Sequence, residues 1–208
     1  MARYLGSVCK LCRREKEKLF LKGNRCFSTK CVMVKNKGKK LPGQHSMSRS
    51  KLSDYAKHLR EKQKAKRFYC LTEEQFNHYY EIAEKKIGST GLNLLKLLEL
   101  RLDTVVFYLK FAVSRIMARQ IINHGTVLVN NKKITMPRYQ VKINDVITVS
   151  EKYKKIILSR KIDNTIGFNI PIWLSLNKDM SGKIIGEPVA KEFHYNINSQ
   201  LIVEYYSK

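Results

Sequence analysis

The chain has 208 residues, 43% of them hydrophobic, enough for one or two domains with a packed core and too many for a wholly disordered chain. Lys and Arg number 41 against 17 Asp and Glu, a formal charge of +24; self-repulsion opposes compaction, so the surplus points to a polyanionic partner, nucleic acid first and an anionic membrane surface second. The membrane is disfavoured, because no run approaches the ~18 consecutive apolar residues of a spanning helix and Met1-Ala2-Arg3-Tyr4-Leu5-Gly6 lacks the apolar stretch of a signal peptide.

The charge is uneven. Residues 1–67 hold 21 Lys and Arg against 4 Asp and Glu, a net of +17, whereas residues 68–208 hold 20 against 13, a net of +7. Within the first part, Cys9 and Cys12 form a C-x-x-C pair, and Cys26 and Cys31 follow after a loop. Two short pairs separated by a loop suit a tetrahedral site in which four thiolates hold one zinc ion. Lys10, Arg13, Arg14 and Arg25 would favour the thiolate forms. Two disulfides are the first alternative, disfavoured by the reducing compartment that the missing signal stretch suggests and by the odd total of five cysteines; an iron–sulfur cluster is the second. Cys70 stands alone among apolar neighbours and reads as a core thiol. The stretch Asn36–Ser53 has few apolar residues and carries Gly38, Pro42, Gly43 and several serines, so it reads as an extended basic loop that orders against phosphate.

Leu52 to Arg67 reads as a helix, with Leu52, Tyr55, Ala56 and Leu59 on the buried stripe and Lys57, Arg60, Lys62, Lys64, Lys66 and Arg67 around the rest. Thr72-Glu73-Glu74-Gln75 is a capping-box pattern that starts the next helix. Phe76, Tyr79, Tyr80, Ala83 and Ile87 form its buried stripe, and Gly88 stops it. Leu92 to Leu109 is densely apolar and reads as a core helix. A further helix begins after Ser114, a candidate N-cap, and ends at Gly125. Strand signals follow at Thr126–Val129, with a turn at Asn130-Asn131, then Val141 and Ile143, a turn at Asn144-Asp145, and Ile147 and Val149. Helices followed by strands with tight turns make this unit α+β.

The run Leu-Glu-x-Arg-Leu-Asp-x-Val-Val at 98–106, with Ser-Arg-x-x-Ala-Arg-Gln at 114–120, resembles the small RNA-binding domain of the ribosomal protein four family of the small subunit. The likeness extends over nearly the whole chain. The cysteine spacing resembles the zinc-bearing version of that family, Pro42-Gly43-Gln44-His45 its basic loop, Ser53-Asp54-Tyr55 and Leu59-Arg60-Glu61-Lys62-Gln63-Lys64 its first long helix, and Val203-Glu204-Tyr205-Tyr206-Ser207-Lys208 its end. Two positions depart from the family, which carries Asn-Gly and Gly-Asp at the turns where this chain has Asn130-Asn131 and Asn144-Asp145. Asn tolerates positive φ, so the hairpin is expected to survive at small cost. Between Ser159 and Gln200 the likeness is weakest; Trp173 there is expected to be packed.

The expected fold is α+β: a zinc-binding basic N-terminal extension over residues 1–45, a helical RNA-binding domain over 46–96, a small domain of two helices on a short twisted antiparallel sheet over 97–160, and a C-terminal segment over 161–208 packing back on both. The resemblance implies a structural constituent of the small ribosomal subunit, not an enzyme. It would bind a multi-helix junction in the 5′ domain of small-subunit rRNA, nucleate assembly of the subunit body and contribute to translational accuracy. The implied partners are that rRNA, neighbouring proteins including ribosomal protein five, and mRNA where it enters the subunit, with no membrane and no small-molecule substrate. The implied location is a cytoplasmic ribosome, with an organellar one as the other setting; 29 Lys against 12 Arg, with 18 Ile and 13 Asn, suggests an AT-rich genome.

The foremost candidate RNA contacts are Arg115, Arg119 and Gln120, at the start of a helix, then Lys132 and Lys133 at the hairpin, then Arg60, Lys64 and Arg67. Arg3, Arg13, Arg14, Lys22, Arg25, Lys40, Gln44, His45, Arg49, Lys57, His124 and Asn130 complete the expected set. Two other classes fit less well. Modules like residues 97–155 also occur attached to RNA-modifying enzymes, but only about 50 residues follow here, and no nucleophile–base pair or phosphate-cradling glycine loop is visible. A zinc-dependent DNA-binding regulator would need a recognition helix after the cysteines, and none is patterned there.

Overall fold

The computed structural model describes residues 4–35, 40–44, 51–159, 169–177, 179–189 and 197–207. The chain divides into two compact units, Met1–Leu95 with Asn196–Lys208, and Lys96–Tyr195.

The first unit is helical. Helix α1 (Val8–Glu15) ends at Lys16, whose φ of 57° lets its own N–H reach the Arg13 carbonyl and the Glu17 N–H reach the Cys12 carbonyl. A 3-10 turn follows at Gly23–Cys26. Helix α2 (Asp54–Phe68) starts at Ser53, whose hydroxyl accepts from the Ala56 N–H at 3.3 Å. Its start and length follow the expectation, but its buried face does not. Leu52 and Tyr55 are more than half exposed, and the buried residues are Lys62, Ala65 and Phe68. Helix α3 (Glu73–Glu84) carries the capping box in full, with both the Thr72 side chain and the Gln75 side chain engaged. Phe76, Tyr79, Tyr80 and Ala83 are buried as expected, whereas Ile87 lies beyond the helix and is fully exposed.

The C-terminal helix α8 (Ser199–Tyr206) packs on α2. Its N-cap Asn198 accepts from Gln200 and Leu201, and the Asn198 N–H donates to Glu61 at 2.8 Å. Tyr206 stacks on Tyr80 at 4.3 Å, and the Lys62 ammonium sits 4.6 Å from the Tyr205 ring centre. A Cβ on Gly91 would meet the Ser199 hydroxyl at 2.7 Å, so only glycine allows that approach.

In place of one helix over Leu92–Leu109 there are two, α4 (Thr90–Glu99) and α5 (Leu102–Tyr108). The break falls at Arg101, which is extended and bridges Gln140. The Arg101 guanidinium is 1% exposed and donates to Asp103 at 3.0 and 2.7 Å. A buried charge needs such a partner, and making the pair takes Arg101 out of the helix. Helix α6 (Arg115–Asn123) has the expected cap, the Ser114 hydroxyl accepting from Met117.

The strands β1 (Val127–Val129), β2 (Lys132–Lys133), β3 (Val146–Val149), β4 (Leu174–Leu176) and β5 (Gly182–Ile184) form one antiparallel sheet in the order β2-β1-β3-β5-β4. Helix α7 (Glu151–Ser159) lies between β3 and β4 in the chain. Val127 pairs with Val149 and Val129 with Ile147, so alternate residues point into one core with Leu102, Val105, Val106, Ala118 and Ile122. Trp173 is 5% exposed, as expected, and meets Tyr108 edge-on at 6.4 Å. The strands are short, as expected, and β4 and β5 add two to those the sequence signals. Cys70 is half-buried at a φ of 54°, where α2 ends, and not a core thiol.

Candidate nucleic-acid interface

In the helical unit, the cations of α2 are largely taken up by the chain itself. Residues 1–67 contain four acidic residues, Glu15, Glu17, Asp54 and Glu61. Asp54 pairs with Lys57 at 2.7 Å, Glu17 and Glu61 with Lys64 at 3.0 and 3.1 Å, and Glu15 with Arg60 and Arg67. Burial would lower the Lys64 ammonium, but Glu17 and Glu61 outweigh it and raise its pKa. Every acid of this segment is thus matched to α2. Most of the positive excess is left to α1 and the loops: Arg13 is half-exposed, and Arg14, Lys22, Arg25 and Lys40 are exposed, as is the neutral Gln44. The Lys57 pair is exposed, so a phosphate can exchange for its carboxylate at little cost. Arg3, His45 and Arg49 lie outside the described residues.

The four cysteines line one cavity of about 20 Å³ with Val8, Leu21, Lys22, Val32 and Met33. All four are free. The expected zinc site is corrected here: among the described residues, no three His, Cys, Asp or Glu side chains are grouped so that they could hold a metal ion. Burial pushes the Cys12 thiol up to about 11 and raises Cys26 as well, and the neighbouring cysteines add to both shifts. The zinc-binding extension is withdrawn with it.

In the second unit, α6 and the β1–β2 hairpin come together. Gln120 is exposed on α6 and His124 at its C-cap, and Lys132, Lys133 and Asn130 are exposed at the hairpin. A Cβ on Gly125 would meet Lys133 Cε at 1.9 Å, so the lysine stem crosses the end of α6, and the φ of 67° at Gly125 is what favours glycine there. Cationic charge beside a helix C-terminus is also favoured by the helix dipole. The turn takes φ of 49° at Asn130 and 62° at Asn131, the geometry a two-residue hairpin loop requires. The Asn130 amide donates to Asp145 at 2.8 Å, and its carbonyl accepts from the Val146 N–H at 2.9 Å.

Arg115 and Arg119 stand differently. Arg115 is 4% exposed, lies 4.6 Å over the Phe107 ring and donates to the Tyr108 hydroxyl at 3.3 Å. It is part of the interior and leaves the contact set. Arg119 is partly exposed and donates through Nε to Asp103 at 2.9 Å, the carboxylate that also holds Arg101. Arg138, Lys142 and Lys183 are exposed cations of this unit that the sequence motifs do not single out. They belong to no helix pattern, and only their exposure marks them.

Two basic faces, each matched or aimed by specific acids and turns, are the features expected of a protein that binds a polyanion. Residues 3–99 match the ribosomal protein S4/S9 N-terminal domain, and residues 100–147 match the S4 domain. The chain is 62% identical over 209 positions to small ribosomal subunit protein uS4 of Endomicrobium trichonymphae, with all of both chains covered. It is 50% identical over 215 positions to uS4A of Clostridium perfringens (strain SM101 / Type A), and 49% over 215 to uS4 of Clostridium botulinum (strain Eklund 17B / Type B), again over the whole of each chain. The chain belongs to the uS4 family of small ribosomal subunit proteins.

Proposed function

We propose that the chain binds small-subunit rRNA through two basic faces, one on the helical unit and one formed by α6 and the β1–β2 hairpin. It is a structural, rRNA-binding constituent of the small ribosomal subunit, and not an enzyme. Its location is the cytoplasmic ribosome; among the described residues no helix is long and apolar enough to cross a membrane. The observation that carries the reading is full-length identity of 62% to a uS4 protein.

The finer reading is that the rRNA element is a multi-helix junction of the 5′ domain, where binding nucleates assembly of the subunit body and supports translational accuracy. Ribosomal protein five is the inferred protein neighbour, and mRNA passes nearby where it enters the subunit. The contacts on the first face are Arg13, Arg14, Lys22, Arg25, Lys40, Gln44, Lys57, Arg60, Lys64 and Arg67. Those on the second are Arg119, Gln120, His124, Asn130, Lys132 and Lys133. Exposure of the first face's unmatched cations and of the hairpin lysines supports this set.

Competition between a 5′-domain rRNA fragment and duplex DNA of equal length tests the reading. The rRNA is expected to win at every salt concentration. Equal competition would reduce the chain to a general polyanion binder.

A further inference from the structure

Arg60 and Arg67 stand seven residues apart on one side of α2, and the Nη1 atoms of both reach a single atom, Oε1 of Glu15. The Arg60 hydrogen bond is 3.3 Å. Glu15 is the last residue of α1, and its side chain is 1% exposed. Burying a carboxylate is costly unless it is paired and hydrogen-bonded. Here two guanidiniums share it, so the trio keeps a formal charge of +1. Arg14 is close enough to act electrostatically on both Glu15 and Arg60, and Glu61 acts on Glu15 in the opposite sense, so the group keeps its +1.

Each guanidinium offers five N–H donors in a planar fork, and Glu15 occupies only part of that capacity. The Arg60 and Arg67 side chains are 26% and 21% exposed, so their remaining donors can reach the surface. Two like charges would separate without the carboxylate between them. With it, they stand side by side on one shared oxygen, and each fork keeps N–H donors of the kind that bind phosphate oxygens.

We propose that Glu15 is a positioning residue for RNA recognition, gathering Arg60 and Arg67 into a preformed site for one backbone phosphate diester. The inference rests on the rRNA-binding reading and deepens it. Its sign differs from that of bulk electrostatics: deleting a negative charge strengthens binding to any polyanion, whereas deleting the positioning carboxylate weakens binding to the structured target.

The test uses the full chain as Glu15→Gln, as Arg60→Lys/Arg67→Lys, and as the triple variant. Binding to a 5′-domain rRNA fragment and to polyuridylate is measured, with thermal unfolding alongside. Glu15→Gln is expected to bind the fragment about tenfold more weakly while holding or gaining affinity for polyuridylate. In the double-lysine background the same substitution is expected to have no further effect on the fragment. A Glu15→Gln protein that binds the fragment undiminished overturns the proposal, and so does an equal loss in the double-lysine background. If Glu15→Gln does not fold, Arg60→Lys/Arg67→Lys decides alone: charge is kept and the fork lost, so undiminished fragment affinity overturns the proposal. If the unaltered chain prefers polyuridylate to the fragment, the rRNA reading itself falls.

Discussion

Arg115 and Arg119 sit four residues apart on α6, yet the fold gives them different tasks. Charge and helical spacing are readable in a sequence, but the aromatic floor under Arg115 is not. Phe107 and Tyr108 come from α5, and only the packing of α5 on α6 brings them under the guanidinium. Arg115→Ala is expected to lower stability by about 3 kcal/mol, because it leaves buried polar groups without their partner. Urea unfolding checks the loss, and the salt dependence of RNA binding is expected to keep its slope. The two turn asparagines divide in the same way. Positive φ at both follows from the turn type, but the hydrogen bonds from Asn130 to Asp145 and Val146 follow from the sheet. Asn131→Gly is expected to raise stability by roughly 0.5 kcal/mol by relieving the left-handed backbone. Asn130→Gly is expected to lower it by about 1 kcal/mol, because both side-chain hydrogen bonds disappear. Thermal unfolding of the pair gives both signs, and equal shifts would contradict this division.

Among the elements, those announced by caps were legible. The Thr72–Gln75 box and the Ser114 cap both start helices where their chemistry places them. Three features were not. The buried face of α2 is set by α8, which is remote in sequence and lies over Lys62. The break at Arg101 has no glycine or proline to announce it and arises from a buried ion pair. Strands β4 and β5 have three residues each, too short for an alternating pattern to stand out.

Acid should act on the packing between α2, α3 and α8. Burial would raise the Glu73 carboxyl, but Lys62 and Lys66 outweigh it and hold it below its ordinary 4.5. The folded state then binds this proton less readily than the unfolded state. The resulting stability is present above the unfolded value and is lost as pH falls through the lower folded value. Glu73→Gln is expected to flatten that part of the acid unfolding profile, and the tyrosine near-UV signal of α8 reports it. An unchanged profile would remove Glu73 from the account. Thr72→Ala is expected to cost about 1 kcal/mol by removing the cap.

For the whole molecule, the charge of +24 is better described by where it is neutralised than by where it is densest. The four acids of residues 1–67 lock onto α2 and offset most of its charge, so the excess lies with the outer cations of α1, the loops and the hairpin and with the Glu15–Arg60–Arg67 trio. Sequence located the basic segments and the family; ion pairing, which depends on distances between elements, decided which cations remain available. The cysteines carry the same lesson, since ligand spacing alone suggested zinc and the geometry among the described residues did not group them to hold it. Lys132→Ala/Lys133→Ala is expected to lower the salt slope of rRNA binding by about one for each phosphate no longer neutralised, with the fold intact by circular dichroism. The most direct test of the central claim is sedimentation of the full chain with small-subunit rRNA at rising salt. The account predicts that the protein travels with the RNA at low salt, and that the logarithm of its binding constant falls linearly with the logarithm of salt concentration. A protein that stays behind at low salt would contradict it.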